Sequence, residues 1–370
     1  MLEIMRRWSN WRKVPTEAYQ PEKIRSILVP LPGDAIGESL MTTLFLKTVK
    51  AHRPDIEITV ASGPQTASLF SDCDSVDNFI SVGNRTMSPK TRMKVLIEEI
   101  RKKERFDLVA DMRTRLDVRT FSFLRKINAR HYLGHAKNNY TLFDLNVSPE
   151  VQHTSERWLA ASQIITGQIE QSSKCLTPQD FCFPANAKEH EINQWQETLP
   201  PSRARILFNL YGSSPHRSFQ YPEALKLLRL WLEKFPDDLL QLLPIPGHER
   251  EVKRLAAEIN DKQVVVAPLP SPLSLPASFT LTRRADLIFT PDTGMVHIAS
   301  SLNAPVIAIY DDNPQNFSEW KPLSDLQTVI FTRPPIAPHE RVSIHEFDYA
   351  EMWTAVENLL AQHGSSRTSL

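Results

Sequence analysis

Several features that would assign this chain to a common functional class are scarce or missing from its 370 residues. The formal net charge is zero, so no overall positive field favours a nucleic-acid partner. The three cysteines, Cys73, Cys175 and Cys182, have no paired metal-ligand spacing, and their odd number argues against a disulfide framework. This cysteine usage predicts a reducing, cytoplasmic compartment. No apolar run approaches the length that spans a bilayer.

The common catalytic motifs are also missing. The chain contains no G-x-G-x-x-G sequence, no Walker loop and no H-E-x-x-H sequence. Dinucleotide oxidoreductases, P-loop kinases and zinc proteases therefore lose their main support, and no metal site is predicted. The N-terminal segment has no long apolar stretch either, which argues against a secretory signal.

Residues 1–23 are predicted to be an N-terminal extension of mixed basic and aromatic character. Two tryptophans lie there among four basic residues, Arg6, Arg7, Arg12 and Lys13. This mixture suits a helix that lies on an anionic membrane surface. The other interpretation is a terminal segment whose tryptophans pack on the body of the protein.

Glycine is scarce, and its positions are informative. Of the ten glycines, six follow a short apolar run and precede a helical pattern. They are Gly33, Gly37, Gly63, Gly212, Gly247 and Gly294. Glycine at such a place permits a tight strand-to-helix turn and lets the backbone approach a ligand closely.

Short apolar runs alternate with longer amphipathic stretches along the whole chain, which predicts βαβ units and parallel sheets. The fold class is therefore α/β, with two Rossmann-like doubly wound domains facing a cleft. In such folds ligands bind at the carboxyl ends of the strands, and a cleft between two domains is the natural pocket. The predicted segments are the extension 1–23, a first domain 24–170, a connection 171–203, a second domain 204–345, and a C-terminal helix and tail 346–370.

An acid, a hydroxyl and a glycine end one apolar run: Asp292, Thr293 and Gly294. A helix carrying His297 follows directly, so the backbone N–H groups of residues 293–295, including that of Met295, are expected to point outward as an anion cradle. Thr293 adds a hydroxyl donor, and Asp292 can either cap the helix or accept hydrogen bonds from a sugar. The other interpretation makes Asp292 a cap only and His297 a satisfied buried partner.

The longer string ADLIFTPDTGMVHIASSLNAPVIAIY, followed by WKP at 320–322, resembles the ADP-heptose:lipopolysaccharide heptosyltransferases of glycosyltransferase family 9. Their signature is D-[ST]-G-x-x-H-[LI]-A after a strand, then a proline, another strand and W-x-P. The resemblance implies the GT-B glycosyltransferase architecture. It also implies that Asp292, Thr293, Gly294 and His297 grip the diphosphate and sugar of a nucleotide donor.

The N-terminal string SILVPLPGDAIGESL resembles the opening of the same family, in which the aspartate of a G-D pair is the catalytic base. Two registers remain open. Gly33-Asp34 matches the letters directly. Counting back from Arg53-Pro54 instead places Glu38 on the base, without an insertion in the helix. Glu38 is the preferred base and Asp34 the alternative; an ordinary first-turn acid remains a third interpretation.

The string RILFNLYGSSPHRSFQYP resembles the family's strand and Gly-Ser loop, which implies that Gly212 lies at the donor. The family has a lysine where this chain has Phe219, so Arg217, or His216, is expected to supply the cation that faces phosphate. A simple surface role for Arg217 stays open. A family glutamate that accepts ribose hydroxyls corresponds to Glu249, or to Glu251, with a solvent-facing carboxylate as the alternative.

The first domain is locally basic although the whole chain is neutral. Residues 112–137 contain seven basic residues against one acid. Arg113 and Arg115 follow a strand end and, with Arg119, are the expected contacts to an acidic acceptor. In the resembled family that acceptor is the phosphate- and Kdo-bearing inner core of lipopolysaccharide.

The sequence thus predicts an inverting glycosyltransferase that moves heptose from ADP-L-glycero-D-manno-heptose to the lipopolysaccharide inner core. It needs no metal and no cofactor, and it is expected at the cytoplasmic face of the inner membrane of a Gram-negative bacterium, peripherally bound. Two alternatives stay open. One is a UDP-sugar 2-epimerase-like enzyme of the same fold, and the other is a donor-binding homologue with weak catalysis.

Overall fold

A computed structural model divides the chain into two compact units, Met1–Pro184 and Ala185–Leu370. The boundary falls inside the stretch that the sequence predicts as the connection. The structure describes residues 18–31, 35–81, 87–102, 105–114, 116–127, 129–168, 176–185, 189–212, 214–268, 275–336 and 342–367.

The first unit contains a parallel six-stranded sheet of order β3-β2-β1-β4-β5-β6. Its strands are β1 Ser26–Leu31, β2 Glu57–Ser62, β3 Asn78–Ser81, β4 Phe106–Asp111, β5 Ala129–His135 and β6 Leu145–Val147. Its α-helices are α1 Ile36–His52, α2 Ala67–Ser71, α3 Pro89–Arg101, α4 Val118–Lys126 and α5 Thr154–Thr166. The order places the carboxyl ends of β1, β4 and β5 side by side.

Local sequence signals set the helix ends of this unit. Asp117 caps α4, since its carboxylate accepts a hydrogen bond from the Thr120 N–H at 2.7 Å. Gly167 ends α5 in the left-handed region at φ 69°, where glycine carries no Cβ penalty. Helices α1 and α5 pack together through Phe45 and Trp158, whose ring centroids are 5.2 Å apart.

The second unit contains a parallel six-stranded sheet of order β12-β11-β10-β7-β8-β9. Its strands are β7 Arg205–Phe208, β8 Leu239–Leu242, β9 Val264–Val266, β10 Leu287–Pro291, β11 Val306–Tyr310 and β12 Gln327–Phe331. Its α-helices are α6 Glu189–Glu197, α7 Tyr221–Lys234, α8 Glu249–Ile259, α9 Leu275–Arg284, α10 Gly294–Ser301, α11 Pro314–Trp320 and α12 Tyr349–Arg367. Phe208, Phe289 and Trp231 pack together at its centre.

The prediction of an α/β fold with two Rossmann-like doubly wound domains is confirmed. Strands β6 and β12 and the helix α11 were not predicted. β6 is only three residues long, and β12 is an edge strand with exposed residues at both ends, so neither presents a continuous apolar run. The C-terminal helix runs to Arg367 and so occupies most of the segment 346–370, which the sequence predicts as a helix and tail.

The membrane-surface prediction depends on basic residues and tryptophans within residues 1–17. These residues lie outside the part of the chain that the structure describes. Within the ranges that the structure describes, no helix combines the length and apolar character that crossing a membrane requires.

The expectation of no disulfide is wrong for two of the three cysteines. Cys73, after α2, and Cys182, after a short 3-10 turn at Pro178–Asp180, form a disulfide with a Cα–Cα distance of 5.6 Å. The two residues are 109 positions apart, so no local spacing reveals the pair. The bond ties the end of the first unit to its sheet. Cys175 lies outside the described residues.

This pairing predicts the thiol count of the purified, non-reduced protein. Denatured protein should titrate one thiol, from Cys175, and three after reduction. Cys182→Ser should lower the free energy of unfolding by about 2–4 kcal/mol because the unfolded chain regains the entropy that the cross-link removes. Cys175→Ser is the matched control and should leave stability unchanged. Three titratable thiols without reduction would contradict the pairing.

Candidate functional site

Polar segments follow four neighbouring strands of the second sheet. Residues after β8, β7, β10 and β11 include His248, Gly212, Asp292 and Asp311 respectively. Because carboxyl ends of parallel strands meet at one edge of a sheet, these segments form a single polar edge.

Thr293 caps the helix α10, so the cap is not Asp292. The Thr293 hydroxyl accepts a hydrogen bond from the Met295 N–H at 3.2 Å. It also accepts one from Asn209 Nδ2 at 2.9 Å and shares a hydrogen bond with the Thr290 hydroxyl at 3.0 Å. The Met295 N–H therefore points at Thr293 rather than outward as predicted. Among the described residues, the N–H groups of Thr293 and Gly294 have no partner, so these two are the amides that remain for an anion.

Asp292 is buried, and two polar side chains contact its carboxylate. Its Oδ2 accepts a hydrogen bond from Asn316 Nδ2 at 2.8 Å and lies 3.3 Å from Arg217 Nη2. Burial raises the pKa of Asp292, while Arg217 and hydrogen bonds from Asn316 and Tyr310 oppose the rise. Asp292 and Arg217, which were predicted separately as donor contacts, are thus in contact with each other. Asn316 bridges them because its Oδ1 lies 3.4 Å from Arg217 Nη2.

Gly212 lets the loop that carries Arg217 approach α10. A Cβ on Gly212 would lie 2.7 Å from the Arg217 carbonyl oxygen and 3.2 Å from Thr293 Cγ2. The Gly212 N–H donates to the Ser218 hydroxyl at 3.0 Å, which closes the 3-10 turn Pro215–Arg217. The family lysine position, Phe219, is buried in the core and cannot face phosphate.

His297 lies on the first turn of α10 and is 5% exposed. Its ring contacts Trp320 edge-on, with centroids 5.3 Å apart. Burial, assisted by the positive charge of Arg217, lowers the pKa of His297 to about 4, so the imidazole is neutral at pH 7. Its Nδ1 has no hydrogen-bond partner among the described residues. This ring nitrogen is an unsatisfied polar group in a buried position, a feature that marks functional sites more often than ordinary cores.

The predicted ribose contacts lie at the end of the neighbouring strand β8. Glu249 begins α8, is exposed, and accepts a hydrogen bond from the Gly247 N–H at 2.9 Å. Glu251 accepts from His248 Nδ1 at 2.8 Å, and His248 stacks on Tyr211 at 4.2 Å. Among the residues that the structure describes, neither glutamate forms a hydrogen bond to the Asp292 cluster.

In the first unit, Glu38 lies on the first turn of α1, directly after β1. Burial raises the pKa of Glu38, and the negative charge of Asp111 adds to the rise. Arg113 and Lys137 oppose it, because both place positive charge near the carboxylate. A partly buried carboxylate with a raised pKa at a sheet's carboxyl edge has the properties of a general base. Asp34, the alternative base, lies outside the described residues.

Arg113 forms a two-point contact with the buried Asp111. Its Nε lies 2.8 Å from Oδ1 and its Nη2 lies 2.7 Å from Oδ2. Two of its three nitrogens are therefore committed within the protein. Arg119 is exposed on α4, and Arg115 lies outside the described residues.

Sequence reasoning missed three side chains of these two edges. Asp111 ends β4 just as Asp292 follows β10, and an acid that terminates a buried strand is the signal that would have revealed it. Asn316 sits one turn into α11, a helix that was not predicted. Lys137 was counted only as part of a basic stretch, and no local pattern marks it as buried.

Residues 242–345 match the model of glycosyltransferase family 9 (heptosyltransferase), a range that contains Glu249, Asp292 and His297. This segment of the chain is therefore similar to the glycosyltransferase family 9 (heptosyltransferase) domain. The resemblance that the sequence suggested is confirmed, and with it the prediction of a glycosyltransferase at family level.

Relatives of family 9 align with most of the chain. Lipopolysaccharide heptosyltransferase 1 of Campylobacter coli is 20% identical over 299 residues, 78% of this chain and 84% of the relative. A glycosyltransferase family 9 structure from Veillonella parvula has a TM-score of 0.69 at 16% identity, covering 91% and 97% of the two chains. The E. coli ADP-heptose lipopolysaccharide heptosyltransferase II has a TM-score of 0.64 at 20% identity, covering 92% and 99%. The structural similarity establishes the GT-B fold of these enzymes.

The close packing at Gly212 predicts a specific sensitivity. Gly212→Ala should destabilise the protein by about 1–3 kcal/mol, because the new Cβ overlaps the Arg217 carbonyl and forces the loop outward. Thermal and denaturant unfolding measure the change. Gly364→Ala is the matched control: it lies in α12 with nothing within 4 Å of the added Cβ and should be neutral or stabilising. Equal effects of the two substitutions would contradict the packing.

Proposed function

We propose that this protein is an inverting heptosyltransferase that moves heptose from ADP-L-glycero-D-manno-heptose to the inner core of lipopolysaccharide. The observation that carries the proposal is the cluster of Asp292, Arg217, Asn316 and His297 beside the open amides of α10. All of these residues except Arg217 lie within residues 242–345, the segment that the family model matches. The names of the relatives, which act on ADP-heptose and lipopolysaccharide, support this choice of substrates.

The charges of the second unit suit a nucleoside diphosphate sugar. The Arg217 guanidinium and the amides of Thr293 and Gly294 provide positive charge for a diphosphate without a metal ion. Asp292 and neutral His297 provide hydrogen-bond partners for sugar hydroxyls, with His297 Nδ1 as the group that lacks one. Glu249 is the proposed ribose contact, which requires it to exchange the Gly247 N–H for a hydroxyl.

Glu38 is the proposed general base. Its carboxylate takes the proton of the acceptor hydroxyl as that oxygen attacks the anomeric carbon from the face opposite the diphosphate. The bond between the anomeric carbon and the diphosphate oxygen breaks, and its electron pair leaves with ADP. Arg217 and the two amides stabilise the negative charge on the departing ADP. One displacement inverts the anomeric configuration.

The proposed acceptor surface includes Arg113, Arg115 and Arg119. Arg119 is exposed, and Arg113 keeps one terminal nitrogen, Nη1, outside its contact with Asp111. Basic groups at this edge favour an acceptor bearing phosphate or carboxylate. The basic and tryptophan-containing extension supports a peripheral position on an anionic membrane surface, such as that of the inner membrane.

The experiment that tests the function combines purified protein with ADP-heptose and a core acceptor that lacks the heptose. Mass spectrometry should detect an acceptor heavier by one heptosyl residue, with release of an equal amount of ADP. Product NMR should show the inverted anomeric configuration. Turnover of UDP-N-acetylglucosamine alone would identify a 2-epimerase instead. Binding of ADP-heptose without transfer to any core acceptor would identify a non-catalytic homologue.

Glu38→Gln separates the two candidate bases. It should lower kcat by about 10²–10⁴-fold because the amide cannot accept the proton, with little change in donor affinity. Asp34→Asn is the matched variant and should retain most activity. In the native enzyme kcat/KM should fall as pH falls through the raised pKa of Glu38, since the protonated acid is not a base. The reverse pattern, an active Glu38→Gln and an inactive Asp34→Asn, would assign the base to Asp34.

Arg217→Met tests the donor site through ADP binding alone. It should weaken the affinity for ADP about tenfold or more in isothermal titration, because a charge-assisted contact to phosphate is lost. Arg229→Met is the matched control, since Arg229 is exposed on α7 and its nearest acid lies 4.0 Å away. Unchanged ADP affinity in Arg217→Met would remove Arg217 from the donor site.

A further inference from the structure

Lys137 is almost fully buried, at 2% exposure, although it belongs to the most basic stretch of the chain. Its ammonium has no carboxylate within ion-pair distance among the described residues. Instead Nζ donates hydrogen bonds to the backbone carbonyls of Arg113 and, at 3.4 Å, Asp111. Burying an ammonium is costly unless it is well compensated, and an apolar side chain would fill this space at lower cost. The placement therefore calls for a role beyond packing.

The surrounding backbone is shaped to hold this side chain. Ala136 adopts the left-handed region at φ 54°, which is unusual for a residue other than glycine, asparagine or aspartate. The Lys137 N–H donates to Asn146 Oδ1 at 2.9 Å, and the ammonium lies 5.1 Å from the centre of the Phe143 ring. A Cβ on Gly134 would come within 2.7 Å of Phe143 and 3.0 Å of Lys137 Cδ. The turn after β5 thus directs Lys137 toward the end of β4.

Lys137 holds Asp111 and Arg113, whose charges shift the pKa of Glu38. β1, β4 and β5 are neighbours in the sheet, so Glu38, the Asp111–Arg113 segment and Lys137 follow three adjacent carboxyl ends. The two carbonyls bonded by Lys137 belong to the residues whose side chains form the two-point ion pair. Fixing these carbonyls fixes the backbone from which the Asp111 and Arg113 side chains extend, and the two-point ion pair then orients the guanidinium.

We infer that Lys137 is a positioning residue for sugar transfer, which holds the Asp111–Arg113 pair at the sheet edge that also carries Glu38 and keeps positive charge near the base. The inference rests on the proposed function of Glu38. Lys137 does not touch the substrate in this role. It acts through Arg113 and through its own charge.

The charged groups around Lys137 support an electrostatic contribution. Asp111 and Arg113 face it from the end of β4, Arg157 from α5, and Glu38 from α1. Burial lowers the pKa of Lys137 to about 8, with Arg113 and Arg157 adding to the effect and Asp111 and Glu38 opposing it. At neutral pH the ammonium is charged and lowers the pKa of Glu38. Removing that charge must raise the pKa of Glu38, so the base becomes protonated at a higher pH.

The test compares the pH profiles of Lys137→Met, Lys137→Arg and the control Lys23→Met, an exposed lysine at the opposite end of the first sheet. Lys137→Met should lower kcat about 10–100-fold through misplacement of Arg113. Its acid limb of kcat/KM should move to higher pH. Lys137→Arg should restore the position of that limb. ADP affinity, which belongs to the second unit, should stay unchanged in all three variants.

A merely structural lysine would lower thermal stability and leave the acid limb where it is in wild type, and that result overturns the inference. If Lys137→Met fails to fold, the alkaline limb of the kcat–pH profile of wild type and Lys137→Arg tests the inference instead. Wild-type kcat should decline through pH 8 as the ammonium loses its proton, and Lys137→Arg should abolish this decline. A decline retained in Lys137→Arg overturns the inference.

A second readout does not depend on turnover. In protein with labelled glutamate carboxyl carbons, the resonance that disappears in Glu38→Gln should titrate at higher pH in Lys137→Met than in wild type. An unchanged titration overturns the inference even if the protein transfers no heptose. Absence of transfer by the wild type, with a shifted titration, would instead count against the proposed function alone.

Discussion

Each unit depends on the same constraint: a parallel sheet gathers all its strand ends at one edge, and there a buried aspartate is neutralised by an arginine from the adjoining loop. In the first unit Asp111 binds Arg113 through two contacts of 2.7–2.8 Å. In the second, Asp292 contacts Arg217 at 3.3 Å and Asn316 at 2.8 Å. A buried carboxylate without such partners would lose its charge or destabilise the fold. The ion pairs therefore make a polar edge compatible with a packed core.

The two edges differ in how much of their polar capacity is used internally. The Asp111 carboxylate is satisfied by the Arg113 guanidinium. Lys137 holds the same segment through hydrogen bonds to its backbone carbonyls. The second edge leaves more capacity open at the amides of Thr293 and Gly294, and His297 Nδ1 is buried there without a partner among the described residues. An edge with open donors and acceptors suits a ligand with many polar groups, such as a nucleotide sugar. A closed edge with one tuned carboxylate, Glu38, suits proton transfer.

The departures from the family pattern become understandable in these terms. Phe219 occupies the lysine position but is buried against Phe289 and Phe347. Its side chain is therefore part of the hydrophobic core. In the proposed donor site the cation comes instead from Arg217, two residues earlier, on a turn that Gly212 allows to approach α10. A neighbouring residue would then supply the charge that the phosphate requires.

The periodicity of apolar residues determined the α/β class and the place of the polar strand ends, because buried parallel strands and amphipathic helices have characteristic local sequence patterns. The motif around Asp292 likewise identified the family. Tertiary structure alone decided which polar groups remain open. Thr293 takes the Met295 amide, Asn316 reaches Asp292 across 24 positions, and Cys73 meets Cys182 across 109. The burial of Lys137 also depends on a turn shaped by distant contacts. Hydrogen bonding and burial depend on which residues are close in three dimensions. The local sequence around a residue does not identify partners that lie far away along the chain.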